Sequence, residues 1–162
     1  MCNLYIENLK RGVKMKSFKL LIIVLSFLFL NLNVFADEDA SNQDKTEINQ
    51  AITNYVKGVD TRNSSELSKI LIPDCSIIIL NKITNSINSY TASQLIDMVK
   101  NGQKGGWTRD VTVNNVNLES NTAVAEVDIK DARLRESGFI SLVKESGTWK
   151  VASEVATLQL NK

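Results

Sequence analysis

Thr122-Ala-Val-Ala-Glu-Val-Asp-Ile-Lys130 alternates without a break: Ala123, Ala125, Val127 and Ile129 fall on one side, and Glu126, Asp128 and Lys130 on the other. A period of two is the mark of a strand with one buried face. Working forward, Gly138–Val143 reads as another strand, and Glu145-Ser-Gly147 as a tight turn. Trp149, Val151, Ser153 and Val155 then begin the last strand at alternate positions. Working back, Glu119-Ser-Asn-Thr122 is a turn, preceded by Val111 and Val113 and then by Val116 and Leu118, one residue out of step. That slip predicts a β-bulge near Asn114 and Asn115. Everything after Trp107 is therefore an antiparallel meander.

Upstream the period changes. Ile48, Ala51, Ile52, Tyr55, Val56 and Val59 recur at steps of three and four, one apolar stripe on a helix that ends at Gly58 and Asp60-Thr-Arg-Asn63. Ser64 or Ser65 can cap a second helix carrying Leu67, Ile70 and Leu71, which Pro73 stops by forcing Ile72 out of helical geometry. Cys75-Ser-Ile-Ile-Ile-Leu80 is a β-branched strand, and Asn81–Ser89 is polar and turn-rich. Thr91 caps a third short helix with Leu95, Ile96 and Val99, and Asn101–Gly106 is the main loop. Helices first and strands after predict an α+β fold with three N-terminal helices packed on one face of a mainly antiparallel sheet.

The first 36 residues stand apart. Lys10, Arg11, Lys14, Lys16 and Lys19 precede the apolar run Leu20–Leu30, then Val34 and Ala36, then Asp37-Glu-Asp39. This order predicts a secretory signal peptide over 1–36, with Met15 as the better start, and a product that is periplasmic or extracellular. The rival is an uncleaved anchor, but the run is 11 residues, against roughly 20 for a span. Residues 37–46 read as a flexible acidic leader and 47–162 as a single domain. Removing 1–36 takes five basic residues and one acid, leaving 14 against 17, a net charge of −3. A mildly acidic domain without a basic cluster predicts no nucleic acid and no membrane as partner. Cys75 is the one cysteine left, so an internal disulfide is excluded, and the chain has no histidine. Ser-His-Asp and Cys-His nucleophilic sites and His-liganded zinc are excluded with it, and neither metal nor cofactor is expected.

Ile52-Thr-Asn-Tyr-Val-Lys-Gly-Val-Asp60, Leu67–Leu71 and Ile72-Pro-Asp-Cys-Ser-Ile77 resemble the opening of the NTF2-like superfamily, the curved-sheet cone that includes ketosteroid isomerase and SnoaL-type cyclases. Thr122–Val127 and Phe139–Val151, with Gly-x-Trp-Lys-Val, resemble its closing hairpins. Within it, the chain is similar to the exported bacterial lumazine-binding group. The resemblance covers about residues 46–160. It implies a cone whose mouth takes a small apolar or aromatic molecule, or a protein partner, and a homodimer paired through the face bearing Val124, Glu126 and Asp128.

The resemblance also poses a catalytic test. Tyr55 matches the isomerases' oxyanion tyrosine. Their general base falls at Ile79, which cannot accept a proton. Their second acid falls near Ser137 or Gly138, where no acid stands, and Glu136 is one residue off, which in a strand means the opposite face. Asp131, Arg133, Arg135 and Glu136 read as a solvated hairpin end. No catalytic residue is therefore assigned, and Tyr55, Ile79, Tyr90 and Trp107 are the candidate ligand contacts. The expected function is non-enzymatic binding in the cone. The alternatives are a pure interaction module with a filled cone, and a SnoaL-type isomerase or lyase pairing Tyr55 with an unidentified acid. An Asp or Glu inside the cone within hydrogen-bond reach of Tyr55 would restore the enzyme.

Overall fold

Helix α1 carries its apolar stripe, Ile48, Ile52, Tyr55, Val56 and Val59, fully into the core. It runs over 41–60, and the computed structural model describes residues 41–161. The signal segment expected over 1–36 lies outside the described residues, as do 37–40. The flexible leader expected over 37–46 is helical from 41 onward. The reason is long-range pairing: Asp44 accepts from Lys144 Nζ at 2.5 Å and from Trp149 Nε1 at 3.0 Å, fastening its turn of the helix to the last hairpin.

Helix α2 spans Ser64–Ile70. Its cap is Asn63, not Ser64 or Ser65: the Asn63 side chain accepts from Glu66 N at 3.0 Å, while its own N–H donates to Gly58 O at 2.8 Å. Leu71 belongs not to this helix but to strand β1, Leu71–Asn81, because the extended geometry imposed before Pro73 reaches back to it. Strand β2, Ser86–Thr91, occupies much of the stretch expected to be turn. Its half-buried, mostly polar residues carry no apolar period; it forms because β1 offers it an open antiparallel edge, Ile77 against Tyr90 and Ile79 against Asn88. Helix α3, Ala92–Lys100, has the expected Thr91 cap, completed by Gln94 as a capping box.

Four more strands follow: β3 Asp110–Glu119, β4 Thr122–Lys130, β5 Leu134–Glu145 and β6 Thr148–Leu160. The curved sheet has the order β2-β1-β6-β5-β4-β3, antiparallel throughout except where β1 lies parallel to β6. The predicted bulge is present in β3, between Val113 and Asn115. Ala123, Ala125, Val127 and Ile129 are buried, and with Ile140, Leu142, Val151 and the helical stripe they make one core. Cys75 is buried in β1, and burial pushes its thiol up to about 11, away from reactivity. Among the described residues no helix is long and apolar enough to cross a membrane.

The alternation expected from Trp149 through Val155 breaks midway. Leu142 pairs with Val151 but Ser141 pairs with Ser153, so Ala152 is an extra residue in β6. A one-residue insertion exchanges the two faces of everything beyond it. Val155, expected to share a face with Trp149 and Val151, is 52% exposed, and Glu154 is 3% exposed.

Candidate functional site

Glu154 is turned inward beneath α1, where Tyr55 waits on the buried stripe. Tyr55 Oη donates to Glu154 Oε2 at 2.6 Å. Both residues line a cavity of about 240 Å³, whose walls include Val56, Val59, Ile79, Leu95, Ile129, Leu134 and Leu158. The polar residues around it are Asn81, Asn88, Lys104, Arg109, Asp131 and Glu136.

Burial, and secondarily the charge of Glu136, pushes the Glu154 carboxyl up to about 7, while the bond from Tyr55 pulls it partly back. The Tyr55 hydroxyl is held well above its ordinary value, first by burial and then by the nearby Glu154 charge, so it is a donor at any working pH. The pair thus joins a permanent proton donor to a carboxyl that exchanges its proton near neutrality. Burial alone makes such a group costly unless it is bonded. Among the described residues no buried side-chain polar atom lacks a hydrogen-bond partner.

The rim is built from the loop after α3. Gly105 has φ +89°, and a Cβ there would lie 2.0 Å from Val59 O, so only glycine fits. Gly106 N donates to Asp60 O at 2.8 Å, and Arg62 Nη2 donates to Gly105 O at 3.1 Å. Arg109 donates to Asp60 through Nε at 2.7 Å and through its backbone N–H at 3.0 Å, and reaches Glu136 from Nη1 at 3.3 Å. The end of α1 and the loop are therefore one unit, which presents Lys104 4.5 Å from the centre of the Tyr90 ring and Arg109 5.4 Å from that of Trp107.

The four ligand contacts predicted from the sequence, Tyr55, Ile79, Tyr90 and Trp107, all line this cavity. Tyr55 and Ile79 are its buried wall, Tyr90 lies beneath Lys104, and Trp107 is 43% exposed at the rim. Two readings need correction. Glu136, assigned to the opposite face, lines the cavity and pairs with Arg109. The hairpin end expected to be solvated contributes Asp131 and Leu134 to the same wall; Asp131 accepts from Arg133 N and Leu134 N, both at 2.7 Å, which holds its carboxyl below the ordinary value. Glu154, Lys104, Arg109 and Asn88 went unread. For Glu154 the usable signal was the inward pattern Glu154, Ala156 and Leu158 at the far end of β6. Among the described residues no group of three or more Cys, Asp or Glu side chains is arranged to hold a metal ion.

Residues 43–155 match the family model described as "Putative lumazine-binding". No curated protein matches the chain. Several solved structures do. An NTF2-like protein of unknown function from Silicibacter pomeroyi has TM-score 0.62 at 13% identity, covering 75% of this chain and 98% of that one. One from Shewanella baltica has TM-score 0.59 at 18%, covering 74% and 95%. An NTF2-like protein from Cytophaga hutchinsonii has TM-score 0.60 at 14%, covering 72% and 98%. At these identities the likeness is one of fold.

Proposed function

The chain belongs to the putative lumazine-binding family of the NTF2-like superfamily, and on that premise we propose that its cone binds a small apolar or aromatic molecule and exchanges a proton with it through Glu154. The single observation that carries this reading is the buried bond from Tyr55 to Glu154, 2.6 Å long, at the wall of the cavity. Non-enzymatic binding was favoured by the sequence because Ile79 left Tyr55 without an acid. Glu154 supplies one, from β6 rather than β1, and the balance moves to an isomerase or lyase.

The physical case is direct. A carboxyl near 7 is present in both forms at neutral pH, so it can take a proton and return it. The apolar walls keep water away from the carboxylate and leave it a stronger base toward a bound C–H or N–H acid than it would be in solution. Tyr55 steadies the charged form with its one O–H; once Glu154 has taken the proton, that O–H is released to donate to a carbonyl oxygen on which negative charge has developed. A flat heteroaromatic of the lumazine type suits walls that carry Tyr90 and Trp107 beside aliphatic side chains.

The test uses a substrate that needs nothing but a base in an apolar cavity, 5-nitrobenzisoxazole. The base removes the ring C–H proton, the electron pair forms the nitrile, and the N–O bond breaks to release a coloured phenolate. The wild type should accelerate this, with the rate rising through about pH 7. Glu154→Gln should lose about a hundredfold. Equal rates in the two proteins, with both folded, would end the proton-transfer reading.

The proposal includes a homodimer. The outer face of the sheet bears Val124, Phe139, Val155 and Ile78, all exposed, and register aligns Glu126, Phe139, Val155 and Ile78 across β4, β5, β6 and β1. An exposed apolar band of this kind favours pairing through that face, about a twofold axis.

A further inference from the structure

The cavity has two cations on its wall, and they are in opposite states. Arg109 is fully engaged by Asp60 and Glu136. Lys104 has no carboxylate partner among the described residues; its one specific contact is the face of Tyr90. The carboxylates that could neutralise it are occupied: Glu136 by Arg109, Asp131 by two backbone N–H groups, Glu154 by Tyr55. Asn88 shares the cavity wall with this cation. It lies two residues before Tyr90 on β2, on the same face and about 7 Å along the strand, and it lines the cavity with a carboxamide that bonds to none of the described residues.

The lysine is also held in place. Its backbone N–H donates to Met98 O at 3.2 Å, that of Gln103 to the same oxygen at 2.8 Å, and the two glycines that follow are fastened to Asp60 and Arg62. Burial pushes the ammonium's pKa down, with Glu136 and Glu154 only partly opposing it. A positioned, partly desolvated cation without a salt-bridge partner among the described residues, on a wall that also carries a free amide, is what an oxyanion would complete.

We propose that Lys104 and Asn88 form an anion subsite at the Tyr90 side of the cavity, and that the ligand is an aromatic carboxylate whose flat body spans from this subsite to Tyr55 and Glu154. This rests on the reading of the cone as a small-molecule pocket and narrows its substrate class.

Calorimetric titration with 2-naphthoate and its neutral analogue 2-naphthamide tests it. At pH 6 Glu154 carries its proton for the most part, while an aromatic carboxylate is ionised. The wild type should bind the carboxylate about tenfold or more tighter than the amide. Lys104→Met should bring that ratio to about one, and Lys104→Arg should keep most of it. Lys100→Met removes the same charge from the exposed end of α3 and should leave the ratio as in wild type. A wild-type ratio near one with the amide still bound, or a ratio that survives in a folded Lys104→Met protein, would overturn the anion subsite while leaving the pocket. Failure of both probes to bind the wild type would overturn the pocket and the subsite together.

Discussion

Glu154 is the residue on which the chemistry turns, and its burial has a measurable consequence for stability. Its folded carboxyl lies near 7, against 4.5 as the ordinary value. The unfolded chain therefore releases this proton first as pH rises, and the native state loses stability from about 4.5 to about 7, then no further. The loss is about 3 kcal/mol by the size of the shift. Glu154→Gln keeps an acceptor for Tyr55 but has no proton to lose. Urea unfolding should find the variant more stable than wild type by about that amount above pH 8 and by little near pH 4.5. A pH-independent difference would mean that Glu154 is not desolvated. Tyr55→Phe removes the bond that favours the charged form, so the pH midpoint of both stability and base-catalysed rate should move up. At this scale Tyr55 was legible because it sits on a helical stripe of unbroken period. Glu154 was not, because an acid in a strand reads as solvated until the face it takes is known.

The face was decided by an element-level feature, the extra residue Ala152. The same kind of irregularity was legible in β3, where Val113 and Val116 break step among apolar residues. In β6 the residues around the bulge, Ala152 and Ser153, are small and tolerate either side, so the slip shows only farther along the strand, in Ala156 and Leu158. Strand β2 was illegible for a related reason: its pairing is supplied by β1, not by its own pattern. The Lys104 loop, by contrast, announced itself through Gly105-Gly106, and the structure gives those glycines a specific task. Gly105→Ala should cost about 2–4 kcal/mol, since it adds a clash with Val59 O to an unfavourable φ. Gly147→Ala, with a similar φ of +80° and nothing within 4 Å, should cost about 1 kcal/mol. Equal losses in the two variants, measured by urea unfolding, would show that the close approach at Gly105 can relax.

For the whole molecule, the outer face of the sheet and the basic-apolar N-terminal segment make one joint expectation. Native mass spectrometry of the secreted product should record twice the mass of a protomer beginning at Asp37. Phe139→Asp, at a side chain 54% exposed in the middle of that face, should shift the complex to monomer without unfolding it. A wild-type monomer at tens of micromolar, on the order of ordinary assay concentration, would remove the dimer. A mass that retains Leu20–Leu30 would remove the cleavage.

The three helices, the succession of strands after Trp107, the bulge in β3, the apolar face of β4 and the stripe of α1 follow from the chain's own periodicities, because each is a local pattern repeated over several residues. The resemblance of its opening and closing motifs to the NTF2-like cone rests on the residues of those motifs, and the exclusion of histidine chemistry on a chain that has no histidine. The acid at Tyr55, the inward turn of Glu136 and the unpaired state of Lys104 depend on groups separated by up to 99 residues in sequence. A pairwise environment of that kind leaves no mark in either partner's neighbourhood. Only the packed sheet, bent at one inserted alanine, brings the donor and the carboxyl together and desolvates both.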